Sequence, residues 1–135
     1  MITYKDTKTI DNSQLEKLYN DVQWTAYTDD IALLHKAFSQ SLKVISAWNG
    51  ECLIGLIRIV GDGLTIIYIQ DLLVLKDYQN QGIATQLMQQ IMEEYKEVRQ
   101  KVLLTEEEPG VRHFYQKSGF QSCDKGSLVA FANLN

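Results

Sequence analysis

Apolar side chains recur along this chain in two rhythms, one of three to four residues and one of two, and the switches between them mark out its elements. Leu15, Leu18, Tyr19 and Val22 fall on one helical face, which predicts a helix capped by Asp11 or Ser13 and running to about Val22. Leu33, Leu34, Ala37 and Phe38 predict the inward face of a second helix, from Asp29 or Asp30 to Ser41. Ile2–Lys5 reads as a short strand ahead of the first helix, and Trp24-Thr25-Ala26-Tyr27 as an aromatic connection between the two. Lys43–Trp48 and Cys52–Val60 are strand-like runs joined by Asn49-Gly50, a pair suited to the positive φ angles of a type I′ hairpin.

After the turn Gly61-Asp62-Gly63 a long strand is predicted from Leu64 to Leu75, so that three antiparallel strands form a meander. Ile83, Leu87, Ile91 and Tyr95 then recur at every fourth residue and predict a helix from Gly82 to Tyr95, packed on that sheet. Lys101–Thr105 reads as the next strand, and a helical crossover between successive strands implies that it runs parallel to its neighbour. Pro109 suits the first turn of a helix reaching about Ser118, with Gly119 as its left-handed cap and Phe120 as the apolar residue beyond. Two last strands are expected near Phe120–Asp124 and Ser127–Ala132. The sum is an α/β chain of the α+β type, a mixed, mainly antiparallel sheet of about six to seven strands flanked by about four helices.

With 135 residues, 45% of them hydrophobic and 22% charged, the chain has material for one domain, residues 1–135, with a buried core. No apolar run reaches the ~20 residues of a spanning helix, and MITYKDTKTID lacks the apolar centre of a signal peptide. A cytoplasmic location without a membrane partner is therefore expected. Cys52 and Cys123 lack metal-ligand spacing, would be reduced in that compartment, and read as small core residues; no metal is expected. A net charge of −4 and a pI near 5.1 disfavour a nucleic-acid partner and suit cationic or neutral ones.

The densest chemistry lies where the long strand meets the following helix, in IYIQDLLVLKDYQNQGIATQLMQQIM, Ile67 to Met92. Gln79, Gly82 and Ala84 fit the pattern Gln/Arg-x-x-Gly-x-Gly/Ala. A helix N-terminus presents up to four unpaired N–H groups and about half a positive charge, and residues as small as Gly and Ala leave an anion room to approach them. The guest that fits is a pyrophosphate. A second element, HFYQKSGF from His113 to Phe120, follows where a further strand and helix belong. In this combination the chain resembles the GNAT family of acetyl-coenzyme A-dependent N-acetyltransferases. The resemblance spans nearly the whole chain in element order, and its specific residues lie in Asp71–Thr85 and Phe114–Phe120.

The resemblance implies parallel central strands that splay apart, with the coenzyme pyrophosphate on the turn of Gln79, Asn80, Gln81, Gly82, Ile83, Ala84 and Thr85. It further implies that the pantetheine arm pairs with the backbone of Leu73 and Val74 as an added strand would, and that Phe114 lies at the coenzyme. Gln79 stands where Arg is common in the family, which removes one charge-assisted contact worth ~1 kcal/mol. For the Thr85 hydroxyl, a phosphate contact and ordinary capping are both open. The Tyr of the Phe114-Tyr115 pair is implied as general acid, since a phenol of pKa near ~10 can return a proton to a thiolate of comparable basicity. Adjacent helical residues point about 100° apart, so one of the pair can face the core.

An attacking amine like that of lysine is protonated at pH 7, and removing its proton costs roughly 4.6 kcal/mol. Relatives use His or Glu on the strand before the turn; Tyr68 and Gln70 fall nearest those positions, and neither is an obvious base. Asp71 is the only carboxylate on that strand and can accept a proton through water, although strand parity sets it opposite Gln70 unless a bulge intervenes. A structural hydrogen-bonding role is its other reading, and the base stays unassigned. His35 and His113 match no family catalytic position. Glu106-Glu107-Glu108 either draws a cationic amine or complements a helix dipole, and the loop lacks the Asn that many relatives place there.

Trp24 and Tyr27 lie in the segment that walls the acceptor pocket in relatives, with Tyr68 and Gln70 completing the expected pocket; core packing is equally open for the two aromatics. Enzymes that acetylate arylalkylamines look similar in IYIQDLLVLKDYQNQGIA. The implied function is transfer of acetyl from acetyl-CoA to a primary amine by direct attack, the acceptor being a small amine such as an arylalkylamine or polyamine, or a peptide amine. The competing reading is a catalytically silent coenzyme A-binding regulatory or partner-binding module on the same fold. An exposed edge among the last strands would support a homodimer.

Overall fold

A computed structural model describes all residues, Met1–Asn135, as two compact units, Met1–Leu104 and Thr105–Asn135. The first is built on a five-stranded sheet of β1 (Ile2–Asp6), β2 (Lys43–Asn49), β3 (Cys52–Gly61), β4 (Ile66–Val74) and β5 (Gln100–Leu103), in that spatial order. β1 to β4 pair antiparallel, and β5 runs parallel to β4, as its helical crossover requires. α1 (Asn12–Asp21), α2 (Thr25–Thr28) and α3 (Ile31–Ser39) come between β1 and β2, and α4 (Ile83–Glu94) between β4 and β5. On β3 every residue from Leu53 to Ile59 is buried, which requires cover on both faces; α1 and α4 both pack on that strand. Leu15, Leu18 and Tyr19 of α1, Leu34 and Phe38 of α3, and Ile83, Leu87, Met88 and Ile91 of α4 supply the apolar stripes.

The second unit contains α5 (Pro109–Lys117), with Pro109 in its first turn. Its end is a Schellman cap as the sequence predicts: Gly119 has φ +99°, its N–H donates to Gln116 O at 3.1 Å, and the Phe120 N–H donates to Tyr115 O at 3.0 Å.

Several expectations are corrected. The sheet has five strands rather than six to seven, because neither 120–124 nor 127–132 forms one; Cys123–Lys125 is a 3-10 turn and no ladder follows it. Apolar character alone does not make a strand without a hydrogen-bonding neighbour. Five helices replace the expected four, because the aromatic connection winds into α2, whose Thr28 Oγ1 donates to Asn20 Oδ1 at 2.6 Å and ties it to α1. Leu33 is 63% exposed. It sits about 100° round the helix from Leu34, outside the narrow face that α3 turns inward. In the β2–β3 hairpin the loop residues are Gly50 and Glu51, and positive φ is confined to Gly50, the pattern of a type II′ turn rather than I′. Cys123 is exposed and Cys52 half-buried, so neither is a core residue.

Candidate functional site

The strands of the first unit part where the sequence pattern is densest. β5 pairs with β4 only from Ile66 opposite Gln100 to Ile69 opposite Leu103. Beyond Ile69 that edge of β4 has no strand beside it, while the other edge stays paired to β3 through Leu73 opposite Leu56 and Val74 opposite Gly55. The Leu73 and Val74 side chains are buried, so what they can offer a ligand there is backbone. Chain continues through a 3-10 turn, Lys76–Tyr78, into α4.

At the start of α4, Asn80 has φ +64° and Gly82, the N-cap, φ +84°. Left-handed backbone at the cap is what admits Gly here, and a Cβ built on Gly82 would meet nothing within 4 Å. No side chain caps the helix and no acid lies in its first turn; its first internal bond runs from Gln86 N–H to Gly82 O at 3.0 Å. The N–H groups of Ile83, Ala84 and Thr85 are thus left for an external acceptor, in open space and at the positive end of the dipole. Ile83 anchors this turn with a buried side chain, whereas Gln79, Asn80, Gln81 and Thr85 are exposed. The Gln79 amide is turned back on the strand end, donating to Val74 O at 3.0 Å, and Gln81 Nε2 donates to Asp77 O at 3.3 Å. These residues fit a pyrophosphate.

Next to this edge lies a polar cluster. The β3–β4 register slips between Arg58 and Ile59: Arg58 faces Asp71 and Ile59 faces Ile69, so Gln70 is the extra residue of a bulge. Asp71 is buried and Gln70 exposed. Asp71 Oδ2 accepts from Arg58 Nε at 2.7 Å and from the Tyr19 hydroxyl at 2.9 Å, while Oδ1 is buried with no partner. Arg58 also donates to Ser41 Oγ at 3.3 Å and lies over the Phe38 ring. Above Asp71, Tyr19 sits 5.1 Å from Tyr27 and 6.2 Å from Trp24, and Gln70 Nε2 donates to the Tyr27 hydroxyl at 3.0 Å. Burial, then the negative charge of Asp71, pushes the Tyr19 phenol well above its ordinary pKa, and the same two causes raise Tyr27. Trp24, Tyr27 and Gln70 are therefore brought together; Tyr68 is half-buried on β4 opposite Val60, outside the ring cluster.

Within the second unit, Tyr115 is half-buried in an aromatic set, 5.1 Å from Phe114 at 80° and 6.0 Å from Phe120 at 81°. Burial raises its phenol above the ordinary value of ~10. Part of the acidic run is engaged structurally: Arg112 bonds Glu107 at 2.7 Å and Asp124 at 2.8 Å, and the hydrogen bond from Arg112, then that from Ser122, holds the Asp124 carboxyl down to about 2. His113 is exposed, and His35 is half-buried on α3 with Nδ1 unpartnered. No group of three or more His, Cys, Asp or Glu side chains gathers to hold a metal ion.

The family model described as the acetyltransferase (GNAT) domain matches residues 7–133. The chain belongs to the GNAT family of acetyltransferases. Among curated proteins it is similar to an uncharacterized ycf52-like N-acetyltransferase of Prochlorococcus marinus, 29% identical over 98% of this chain and 74% of the relative. Among solved structures, a GNAT-family acetyltransferase of Streptococcus pneumoniae TIGR4 is 36% identical, with a TM-score of 0.89 over 100% of this chain and 98% of that one. AAC(6')-Iy, solved with the bisubstrate analogue CoA-S-monomethyl-acetylneamine, has a TM-score of 0.67 at 15% identity over 100% of this chain and 99% of its own. At that identity the likeness speaks for the fold alone. Sequence reasoning about this GNAT protein missed Arg58 and Tyr19 as partners of Asp71. The signal was present as one lone basic residue in CLIGLIRIVG and one lone acid in IYIQDLLV, opposite charges in two apolar strands that pair.

Proposed function

We propose that this GNAT protein transfers an acetyl group from acetyl-CoA to a primary amine by direct attack, with all 135 residues acting as one acetyltransferase domain. The observation that carries the reading is the uncapped start of α4 at Gly82, open to an anion beside the unpaired edge of β4. A family match that runs through both units, over residues 7–133, supports the single domain. No helix is long and apolar enough to cross a membrane, and both cysteines are free. The proposal accordingly places the protein in the cytoplasm.

Acetyl-CoA supplies an acyl group activated as a thioester. In this reading the N–H groups of Ile83, Ala84 and Thr85, with the Gln79–Gly82 turn, hold its pyrophosphate. The backbone of Leu73 and Val74 pairs with its pantetheine amides, and Phe114 packs against it. As the C–N bond forms and the C–S bond breaks, Tyr115 gives its phenolic proton to the departing sulfur. The proton leaving the amine passes through water to Asp71 Oδ1, the buried oxygen without a partner. Trp24, Tyr27 and Gln70 form the acceptor pocket, whose aromatic character favours an arylalkylamine over a polyamine or peptide amine.

The test is thiol release from acetyl-CoA with a panel of arylalkylamines, polyamines, peptide amines and aminoglycosides, with the acetylated product identified by mass. Amine-dependent release is expected, fastest with an arylalkylamine. Binding of acetyl-CoA with no release for any amine would replace this reading with the silent coenzyme-binding module.

A further inference from the structure

The Asp71 side chain is 0% exposed, so a proton bound for it has to cross a neighbouring side chain. Three neighbours face it, and they differ in what they can carry. From β3, Arg58 is a permanent cation that donates and never accepts. From α1, Tyr19 is fully buried, and its hydroxyl already donates to Oδ2 at 2.9 Å. From α2 comes Tyr27, which is half-buried and hydrogen-bonded to the exposed Gln70. Burial, then the negative charge of Asp71, raises the Tyr27 phenol, and Asp71 also acts on it as a hydrogen-bond acceptor.

A phenol has one proton to give and two lone pairs to receive. Gln70 Nε2 donates to the Tyr27 hydroxyl at 3.0 Å, so the hydroxyl accepts there and its own proton points elsewhere. Asp71 Oδ2 is filled by Arg58 Nε and Tyr19, whereas Oδ1 is buried and lacks a donor. An unspent donor thus stands beside an unspent acceptor that is costly to leave unpaired. The scaffold fixes the phenol in place. Trp24 N–H donates to Tyr19 O at 2.9 Å, Thr28 ties α2 to Asn20, and the Tyr27 ring lies 5.1 Å from Tyr19 and 6.1 Å from Trp24. Strand alternation would send Gln70 and Asp71 to opposite faces. The bulge lets these consecutive residues reach the same pair of rings, Gln70 at the Tyr27 hydroxyl and Asp71 at that of Tyr19.

We propose that Tyr27 is a proton carrier, the last on the path from the acceptor amine to Asp71 Oδ1. The step rests on the acetyl-transfer reading with Asp71 as base. As a proton leaves the ammonium and arrives through water on the Tyr27 oxygen, the phenol's own proton moves to Asp71 Oδ1. One O–H bond forms on Tyr27 and one breaks, so the phenol is neutral before and after. The ammonium becomes an amine and the carboxylate a carboxyl, which balances the charge. Gln70 Nε2 favours the negative charge that the oxygen carries in between. Once the C–N bond is made, the same path run backwards returns the proton to solvent.

Tyr27→Phe keeps the ring against Tyr19 and Trp24 and removes only the hydroxyl. With the fastest amine of the panel at pH 7, the single-turnover rate at saturating amine should fall roughly a hundredfold, the half-saturating amine concentration changing only a few fold. An analogue of that amine fluorinated on the carbon next to the amino carbon is less basic and arrives largely neutral. With it the loss should be at least about tenfold smaller, because no ammonium proton has to be removed first. Equal losses with the two amines, or a change in half-saturation alone, would make Tyr27 a pocket wall and overturn the proposal. Asp71→Asn separates the relay from the reading beneath it. Slow transfer in Asp71→Asn with parent rates in Tyr27→Phe would overturn the relay and leave the base standing. Parent rates in Asp71→Asn, or no transfer with any amine, would overturn both. Combining the two substitutions should cost little more than either alone, as for two carriers on one path, and multiplied losses would count against it. If Asp71→Asn fails to fold, the comparison of the two amines on Tyr27→Phe decides by itself.

Discussion

Gly82 is the residue on which the proposed anion site turns. Its positive φ suits Gly, and the space its missing side chain leaves is the space the first N–H groups of α4 face. Gly82→Glu sets a carboxylate into that space, whereas Gly82→Asn keeps a residue that tolerates left-handed backbone and carries no charge. Isothermal titration should show acetyl-CoA binding lost in the Glu variant and retained, though weakened, in the Asn variant. Equal binding by both would remove the phosphate from this turn. Tyr115 makes the complementary case for the acid. Tyr115→Phe keeps the ring against Phe114 and Phe120 and loses only the proton, so single-turnover transfer should slow by roughly ten- to a thousandfold with coenzyme affinity within a few fold. Because burial raises the phenol, its proton is kept to higher pH than an ordinary tyrosine's. An alkaline fall in rate is therefore expected above ~10 in the parent and missing from the variant. Unchanged single-turnover rates would make Tyr115 structural.

Elements are held by two devices whose removal has separable costs. The cap of α5 depends on Gly119 at φ +99°, where an added Cβ would touch nothing. Gly119→Ala thus costs only backbone strain, about 1–2 kcal/mol, read as a lower urea midpoint at constant slope. β3 and β4 are joined across the bulge by the buried Arg58–Asp71 pair, with side chains 7% and 0% exposed. Arg58→Met leaves Asp71 as an uncompensated buried charge and should cost about 3–5 kcal/mol, while adding Asp71→Leu should recover most of it. If the double variant is no more stable than the single, the pair is not what the strands depend on. The positions of α1, α3, α4 and α5, the β2–β3 and β3–β4 pairings and the Schellman cap were legible in the sequence, since each depends on spacing within a few residues, and the parallel crossover followed from the helix between its two strands. The α2 turn was not, because it rests on a contact from Thr28 back to Asn20.

For the whole molecule, the GNAT fold makes ligand binding a stability statement. At one hundred times its dissociation constant, acetyl-CoA should add about 2.7 kcal/mol and raise the melting temperature by several degrees. Differential scanning fluorimetry with acetyl-CoA and with free pantetheine separates the two parts of the proposed site. A shift from acetyl-CoA alone is expected if the pyrophosphate turn dominates, and equal shifts from both would move the main contact to the β4 edge.

The sequence by itself determined the order of β1 to β5 and of α1, α3, α4 and α5, the strand-turn-helix junction at Gly82, the Phe114-Tyr115 pair and the family they belong to. These are local patterns, written in periodicity and turn chemistry that neighbouring residues impose on one another. Tertiary structure alone decided the partners of Asp71, because Tyr19 lies 52 residues away and Arg58 13, on separate elements. It decided too that Gln70 takes the bulge and meets Tyr27, 43 residues away, and that Leu33 faces outward. The last strands show the same division: Ser127–Ala132 has a strand's composition, but a strand exists only where another backbone completes its hydrogen bonds, and composition cannot say where that backbone is.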